Sequence, residues 1–356
     1  MKTKWFALIL TAAIMAGCAT VSWAETTEGT SSDTEEALFV IWSAGKFGFM
    51  DRTGEVVIAP QFDYACPFSE DLALVRIGDS ETGKWGYIDR SGEFMIDPEL
   101  DWASPFSEGL AETRVGDFGT GKFGYIDKTG KFVIEPQFEA TWGFSDGLAA
   151  VRVEGKWGYI EKTGEFVIEP QFDWANNFSE NLASVDIAGK CGYIDKTGEY
   201  VIDPQFDLAS SFSEGLARVM VFVDGDLWTC KWGYVDKTGN YAVGSQFDWA
   251  GNFSEGLAAV RIGDSRTGKW GYVDKTGKYV IDPQFDSAGA FSEGFAHVRV
   301  GNKWGFIDKS GEYVMVPQFE PAFAFSDGLA EVRIDGKRGY IDREGNFVWS
   351  TTEPRP

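Results

Sequence analysis

The sequence predicts an all-β protein. It reads as tandem three-stranded β-meanders, about nine units of 34–41 residues, stacked as an open, solenoid-like superhelix; the alternative is a closed β-propeller-like ring. Three observations carry this. A stretch such as GKWGYIDRSGEFMIDP, residues 83–98, recurs down almost the whole chain. Glycine (43 residues) and aromatics (15%) are abundant, as short strands joined by tight turns require. Amphipathic runs of helical period are missing. At 356 residues the length would suit two or three ordinary domains, but a repeat array grows by stacking and has no single core.

The N-terminus differs from the rest. Lys2 and Lys4 precede an apolar run from Trp5 to Ala16, too short to span a bilayer comfortably. Two export signals fit. Met15-Ala16-Gly17-Cys18 has the form of a lipobox, with leader 1–17 and Cys18 acylated; Ser22-Trp23-Ala24 is a small-x-small cleavage site, with leader 1–24. Both imply a destination at the cell surface, in the periplasm or outside the cell. No later apolar run could cross a membrane. Residues 25–36 (ETTEGTSSDTEE) form a flexible acidic linker, 37–350 the repeat array, and 351–356 a tail.

The array is indexed by an aromatic column: Phe47, Trp85, Phe123, Trp157, Cys191, Trp232, Trp270, Trp304, Arg338. Within unit four, Leu148 to Val153 is strand one and Glu154-Gly155 a tight turn. Lys156 to Ile160 is strand two. Glu161-Lys162-Thr163-Gly164 is a turn closed by glycine, and Glu165 to Glu169 is strand three, ended by Pro170. The following loop, QFDWANNFSEN, brings Phe172 and Phe178 to plug the space between units. Trp85, Trp157, Trp232, Trp270 and Trp304 are structural on this reading. The glycine after each of them implies a close neighbour, an aromatic ring of the adjacent unit being the expectation. No strand is left over at either end, so nothing in the sequence demands ring closure.

These residues resemble the WG-repeat proteins of bacteria: G-K-[WF]-G-[YF]-[IV]-D-[KR]-[TS]-G, then V-I-x-P-Q-F, then F-S-E-G-L-A. The resemblance covers about nine-tenths of the chain. It implies a β-rich repeat protein, often exported, with no common enzymatic activity. Cys191, Arg338 and the proline-free stretch Asn240 to Ser245 depart from the pattern.

Composition narrows function. The net charge of −23 becomes −25 once Lys2 and Lys4 leave with the leader, which disfavours nucleic acid and anionic lipid as partners. His297 is the only histidine, so neither a Ser-His-Asp triad nor a histidine metal site can be assembled; it reads as an incidental exposed strand residue. Two acid ladders, one through Asp89 and Asp127 and one through Asp63 and Asp101, recur in every unit and read as turn caps, with weak Ca²⁺ binding as the alternative. Cys191 and Cys230 lie in neighbouring units, paired or free. No cofactor is expected.

Positions where copies disagree are the candidate binding residues. The position after the second ladder is aromatic in four units, at Tyr64, Trp102, Trp174 and Trp249. The turn before strand two is long in units two (78–83), three (116–121), six (223–230) and seven (263–268), bringing Asp79, Glu81, Asp117, Asp224, Asp226 and Asp264. Insertions on one face of a repeat array often mark its binding face. The expected function is a non-enzymatic binding or scaffold protein of the bacterial cell envelope, acting on another protein. Binding of an envelope polysaccharide through the loop aromatics is the alternative. A glycan-active enzyme using paired carboxylates, or a mechanical spacer, stands behind both.

Overall fold

The computed structural model describes residues 37–223 and 230–353. Within them the chain is all-β: nine consecutive antiparallel sheets, three-stranded in the first and four-stranded in the rest. No helix among the described residues is long and apolar enough to cross a membrane. The described residues divide into two compact units, one of residues 37–51 and 55–143, the other made of residues 52–54 and of those from 144 onward.

The fifth sheet shows how the sequence builds each one. Its strands are Trp174–Ala175, Ala183–Ile187, Lys190–Ile194 and Tyr200–Phe206, hydrogen-bonded in that order. The meander of three predicted from the sequence therefore gains a fourth, leading strand of two residues. It comes from the segment read as a loop, where Trp174 pairs with Asp186 and Ala175 with Val185. Two residues are too few for any periodicity to register.

The hairpin between leading and second strands is closed by Ser-Glu-Gly. In the third sheet Ser107 bridges Leu110, and Glu108 (φ 52°) and Gly109 (φ 85°) are both left-handed. Positive φ at both central residues is the geometry whose twist matches paired strands. Glutamate is a strained choice there, and its carboxylate supplies the reason. Glu70 accepts from the Gly109 amide of the next sheet at 3.0 Å and pairs with Lys128 at 3.5 Å. In the second unit Glu180 does the same with Gly215 and Lys237, and Glu255 with Gly294 and Lys309.

The glycine after the repeat-position aromatic corrects the expectation about its neighbour. A Cβ on Gly158 would lie 2.5 Å from the Ile168 carbonyl oxygen and 2.7 Å from Pro170 N. The close approach is made by the last strand of the same sheet, not by a ring of the next. That strand slips register between Trp157–Phe172 and Tyr159–Ile168, and the bulge drives its backbone across the glycine.

Packing between sheets follows one pattern. Tyr87, Tyr125, Tyr159, Tyr193, Tyr234 and Tyr272 are fully buried. Each hydroxyl donates to a main-chain carbonyl seventeen residues on, Tyr159 to Asn176 at 2.7 Å and Tyr234 to Gly251 at 2.7 Å, so a buried phenol costs no unmade bond. Phe172 and Phe178 are each 1% exposed, the latter ring 4.8 Å from Tyr159.

The left-handed glycine of each DKTG-type turn rests on an aliphatic side chain of the preceding sheet: Gly92 on Ile58, Gly198 on Ile168, Gly311 on Ile281. Gly54, in the turn of the first sheet, meets Val348, in the last strand of the ninth, a Cβ there running into the Val348 carbonyl oxygen and lying 3.1 Å from its Cγ1. Residues 52–54 group with the second unit for this reason. The open superhelix is thus corrected to its alternative: the fold is a nine-bladed β-propeller. The sequence could not register this because closure brings together the same turn and last strand that meet between neighbouring sheets and needs no extra strand.

Candidate functional site

The repeated acids are occupied by the fold. In the first ladder Asp127 Oδ1 accepts from the Thr129 amide at 2.8 Å and hydroxyl at 2.6 Å, and from the Lys131 amide at 3.2 Å. The Thr129 hydroxyl bond, first among these, holds its carboxyl below the usual carboxylate range. In the second ladder one oxygen pairs with the lysine of the KWG stretch: Lys46–Asp63 at 2.6 Å, Lys156–Asp173 at 2.6 Å, Lys190–Asp207 at 2.7 Å. The other oxygen accepts a main-chain amide at the end of the second strand, from Gly78, Ala188 and Phe222 respectively. Among the described residues no group of three or more His, Cys, Asp or Glu is placed to hold a metal ion.

The candidates in the long turns also fold back on themselves. Asp79 accepts the amides of Glu81 and Thr82 at 2.8 Å and the Thr82 hydroxyl at 2.7 Å; these bonds, the hydroxyl's first, bring its carboxyl down to about 2. Asp264 is held to about 2 likewise, by the Thr267 hydroxyl and the Thr267 and Arg266 amides. The Asp117 carbonyl accepts the Gly121 amide at 2.8 Å. Asp224 and Asp226 lie outside the described residues.

Tyr64, Trp102, Trp174 and Trp249 are half-buried on the leading strands. Each ring meets one at the repeat position: Tyr64 with Trp85 at 5.8 Å, Trp102 with Phe123 at 5.6 Å, Trp174 with Trp157 at 5.2 Å, Trp249 with Trp270 at 4.7 Å. Arginines of the second strands lie over these rings. Arg76 sits 5.6 Å from Tyr64 and 5.5 Å from Trp85, and Arg261 5.8 Å from Trp270. The repeat position is therefore one row of an arginine–aromatic layer.

Cys191 and Cys230 are free thiols. Cys191 replaces the ring of that layer, and Asp186, paired with it across the strands, replaces the arginine. In the ninth sheet Arg338 replaces the ring, and Arg338 Nε is ion-paired with Glu331.

Two positions break the repeat more deeply. One is the second residue after the leucine of the second strand, or phenylalanine in sheet eight: Leu74, Glu112, Ala150, Ser184, Arg218, Ala259, His297 and Glu331 in sheets two to nine. The other is its hydrogen-bonded neighbour just after the leading strand, for example Ser104, Asn176, Ser210, Gly251 and Gly289. The pairs are matched. Asn176 Nδ2 donates to Ser184 Oγ at 2.6 Å. The His297 imidazole occupies the space a Cβ on Gly289 would need. His297 is not the incidental exposed residue expected. It is largely enclosed, its ring 5.2 Å from Trp304, and burial pushes it down to about 4, so it is neutral at pH 7. Glu112 is 7% exposed; burial raises its carboxyl to about 7, against the pull of the Thr141 and Ser104 hydroxyls. Sequence reasoning noticed this column only at His297 and passed over Glu112, Arg218 and Glu331. The signal was available: polar and charged residues appear in a column whose other members are apolar or small.

Comparison with known proteins bears on the fold. The family model described as WG containing repeat matches residues 47–80, 85–117, 123–157, 157–191, 192–221, 232–265, 270–304 and 304–337. A search of curated proteins found no match. Among solved structures, a eukaryotic initiation factor is similar at 13% identity and a TM-score of 0.62, over 89% of this chain and 96% of that one. An uncharacterized protein of Listeria monocytogenes aligns at 10% identity and a TM-score of 0.40, over 80% and 91%. Puromycin hydrolase aligns at 12% and 0.35, over 84% and 60%. Only the first of these is close enough to speak for the fold.

Proposed function

This chain belongs to the family of proteins built from WG-containing repeats, and from that premise we propose that it is a non-enzymatic binding or scaffold protein, exported to the cell envelope. One observation carries the reading. Nearly every repeated side chain is committed to turns, ion pairs and stacking, while the matched pair on the leading and second strands changes from sheet to sheet. Repeat frameworks carry recognition at the positions where their copies differ. The acids a glycosidase would need are engaged with amides and lysines, which favours binding over hydrolysis.

The partner is another protein on the main reading. Recovery of one stoichiometric partner from an envelope extract with the mature, full-length protein supports it; a clean extract against a positive glycan array removes it. The second reading is an envelope polysaccharide. It is favoured by Trp102, Trp174 and Trp249, which are half-buried and keep part of their surface exposed to solvent. Replacing all three by leucine is expected to abolish array binding while leaving the β-sheet circular dichroism intact. Unchanged array binding by that variant sinks the aromatic contribution.

A further inference from the structure

Arg218 is the odd member of the arginine–aromatic layer. Elsewhere the stacked arginine lies two residues further along its strand, at Arg76, Arg114, Arg261 and Arg299. Each of those feels a nearby carboxylate: Asp63 for Arg76, Asp101 and Asp117 for Arg114, Asp264 for Arg261, Asp286 for Arg299. In the sixth sheet Met220 takes that place, paired with Leu208, and the cation moves back to residue 218. The local ladder acid, Asp207, is left behind with Lys190 and the Phe222 amide.

The guanidinium of Arg218 therefore lies between Trp232, 5.1 Å away, and Trp249, 5.2 Å away, with no carboxylate beside it among the described residues. The ionisable groups facing it are the phenols of Tyr193 and Tyr234. Nη1 donates to the Ala250 carbonyl at 2.6 Å. The Arg218 Nε is enclosed and has no acceptor, as is also true of Nε in Arg76, Arg261 and Arg299, so what sets Arg218 apart is the missing carboxylate. Among the ring-stacked arginines of the described residues Arg218 alone has no carboxylate acting on it, and in a chain of net charge −23 that points to an acidic ligand.

Its neighbours are of the kind that read hydroxyl groups. Ser210 Oγ lies 3.3 Å from Asn252 Oδ1, beside the main-chain bond from Ser210 to Arg218. Next along, Ser184 Oγ donates to Ala209 O at 3.3 Å and accepts from Asn176. An aromatic wall, a fixed cation and hydroxyl-reading amides together suit an acidic sugar. We infer that Arg218, with Trp249, Ser210 and Asn252, forms a subsite for the carboxylate of a sugar acid, where the ring stacks on indole and the carboxylate pairs with the guanidinium.

This inference deepens the glycan reading and rests on it. The test is a tryptophan-fluorescence titration of the full mature protein with sodium glucuronate, methyl glucoside and sodium acetate. Glucuronate should saturate, with methyl glucoside and acetate each at least tenfold weaker. Arg218→Gln should weaken glucuronate at least tenfold at an unchanged melting temperature. Arg218→Lys should keep part of the affinity and serves as the folded control if the glutamine variant is unstable. Equal titration of wild type and both variants, or acetate binding as well as glucuronate, overturns the proposal. Array binding that survives in Arg218→Gln leaves the glycan reading standing while the subsite falls; an array blank with the wild type removes both.

Discussion

Cys191 Sγ lies 3.7 Å from Asp186 Oδ2 and donates its S–H to it. The pair stands where other sheets hold an arginine over an aromatic ring, so two departures from the repeat are one compensated exchange. Burial, then the Asp186 charge, push the Cys191 thiol up to about 12, and burial raises the Asp186 carboxyl. Site-resolved alkylation at pH 8 is expected to modify Cys230, which is half-buried, at least tenfold faster than Cys191. Equal rates would refute the buried, protonated thiol.

The same exchange can be reversed. Cys191→Trp alone sets an indole against a carboxylate, and Asp186→Arg alone leaves a cation with no ring. Together they restore the layer, and a double-mutant cycle by urea unfolding should give a favourable coupling of about 0.5–2 kcal/mol.

The glycine of the KWG stretch is held by backbone. Gly158→Ala should cost about 3 kcal/mol, because its Cβ meets the Ile168 carbonyl and Pro170 N of its own sheet, groups that cannot give way. Gly147→Ala, at φ +86° with nothing within 4 Å, should cost about 1 kcal/mol from the left-handed backbone alone. Gly54→Ala should resemble the first, since its Cβ meets the Val348 carbonyl; a cost near that of Gly147→Ala would argue against closure.

Glu112 makes stability depend on pH. Its folded carboxyl titrates at about 7 instead of the ordinary 4.5, because burial disfavours the charge. A folded value raised above the unfolded one means the stabilisation is complete below pH 4.5 and is lost as pH climbs through 7. The full effect is about 3 kcal/mol. Glu112→Gln should therefore gain about 2–3 kcal/mol over wild type between pH 5 and pH 8 in denaturant melts. A difference independent of pH would show that the carboxyl is not held neutral.

Gly289 and His297 should be inseparable. Gly289→Ala drives a Cβ into the imidazole and should destabilise strongly, and His297→Ala should restore most of the loss in the double variant. Additive costs would deny the matched pairing.

The sequence by itself determined the period, the strand content, the turn residues and the identity of the repeat. Those are local matters: alternation, glycine at left-handed turns, and a motif copied in order. Phe172 and Phe178 were legible as plugs because aromatic residues recurring in a loop have nowhere to go but the seams. Closure was not legible, because Gly54 reaches Val348 across nearly three hundred residues, bringing together the same turn and last strand that meet between neighbouring sheets. The leading strand was not legible, because two residues such as Trp174 and Ala175 carry no period. The reason for the glycine after each repeat-position aromatic, the partnership of Asp186 with Cys191, and the solitude of Arg218 were decided only when register set side chains from distant strands against one another. Sequence lists residues along one dimension; which cation loses its acid, and which thiol gains one, depends on the lateral pairing that only the folded sheets define.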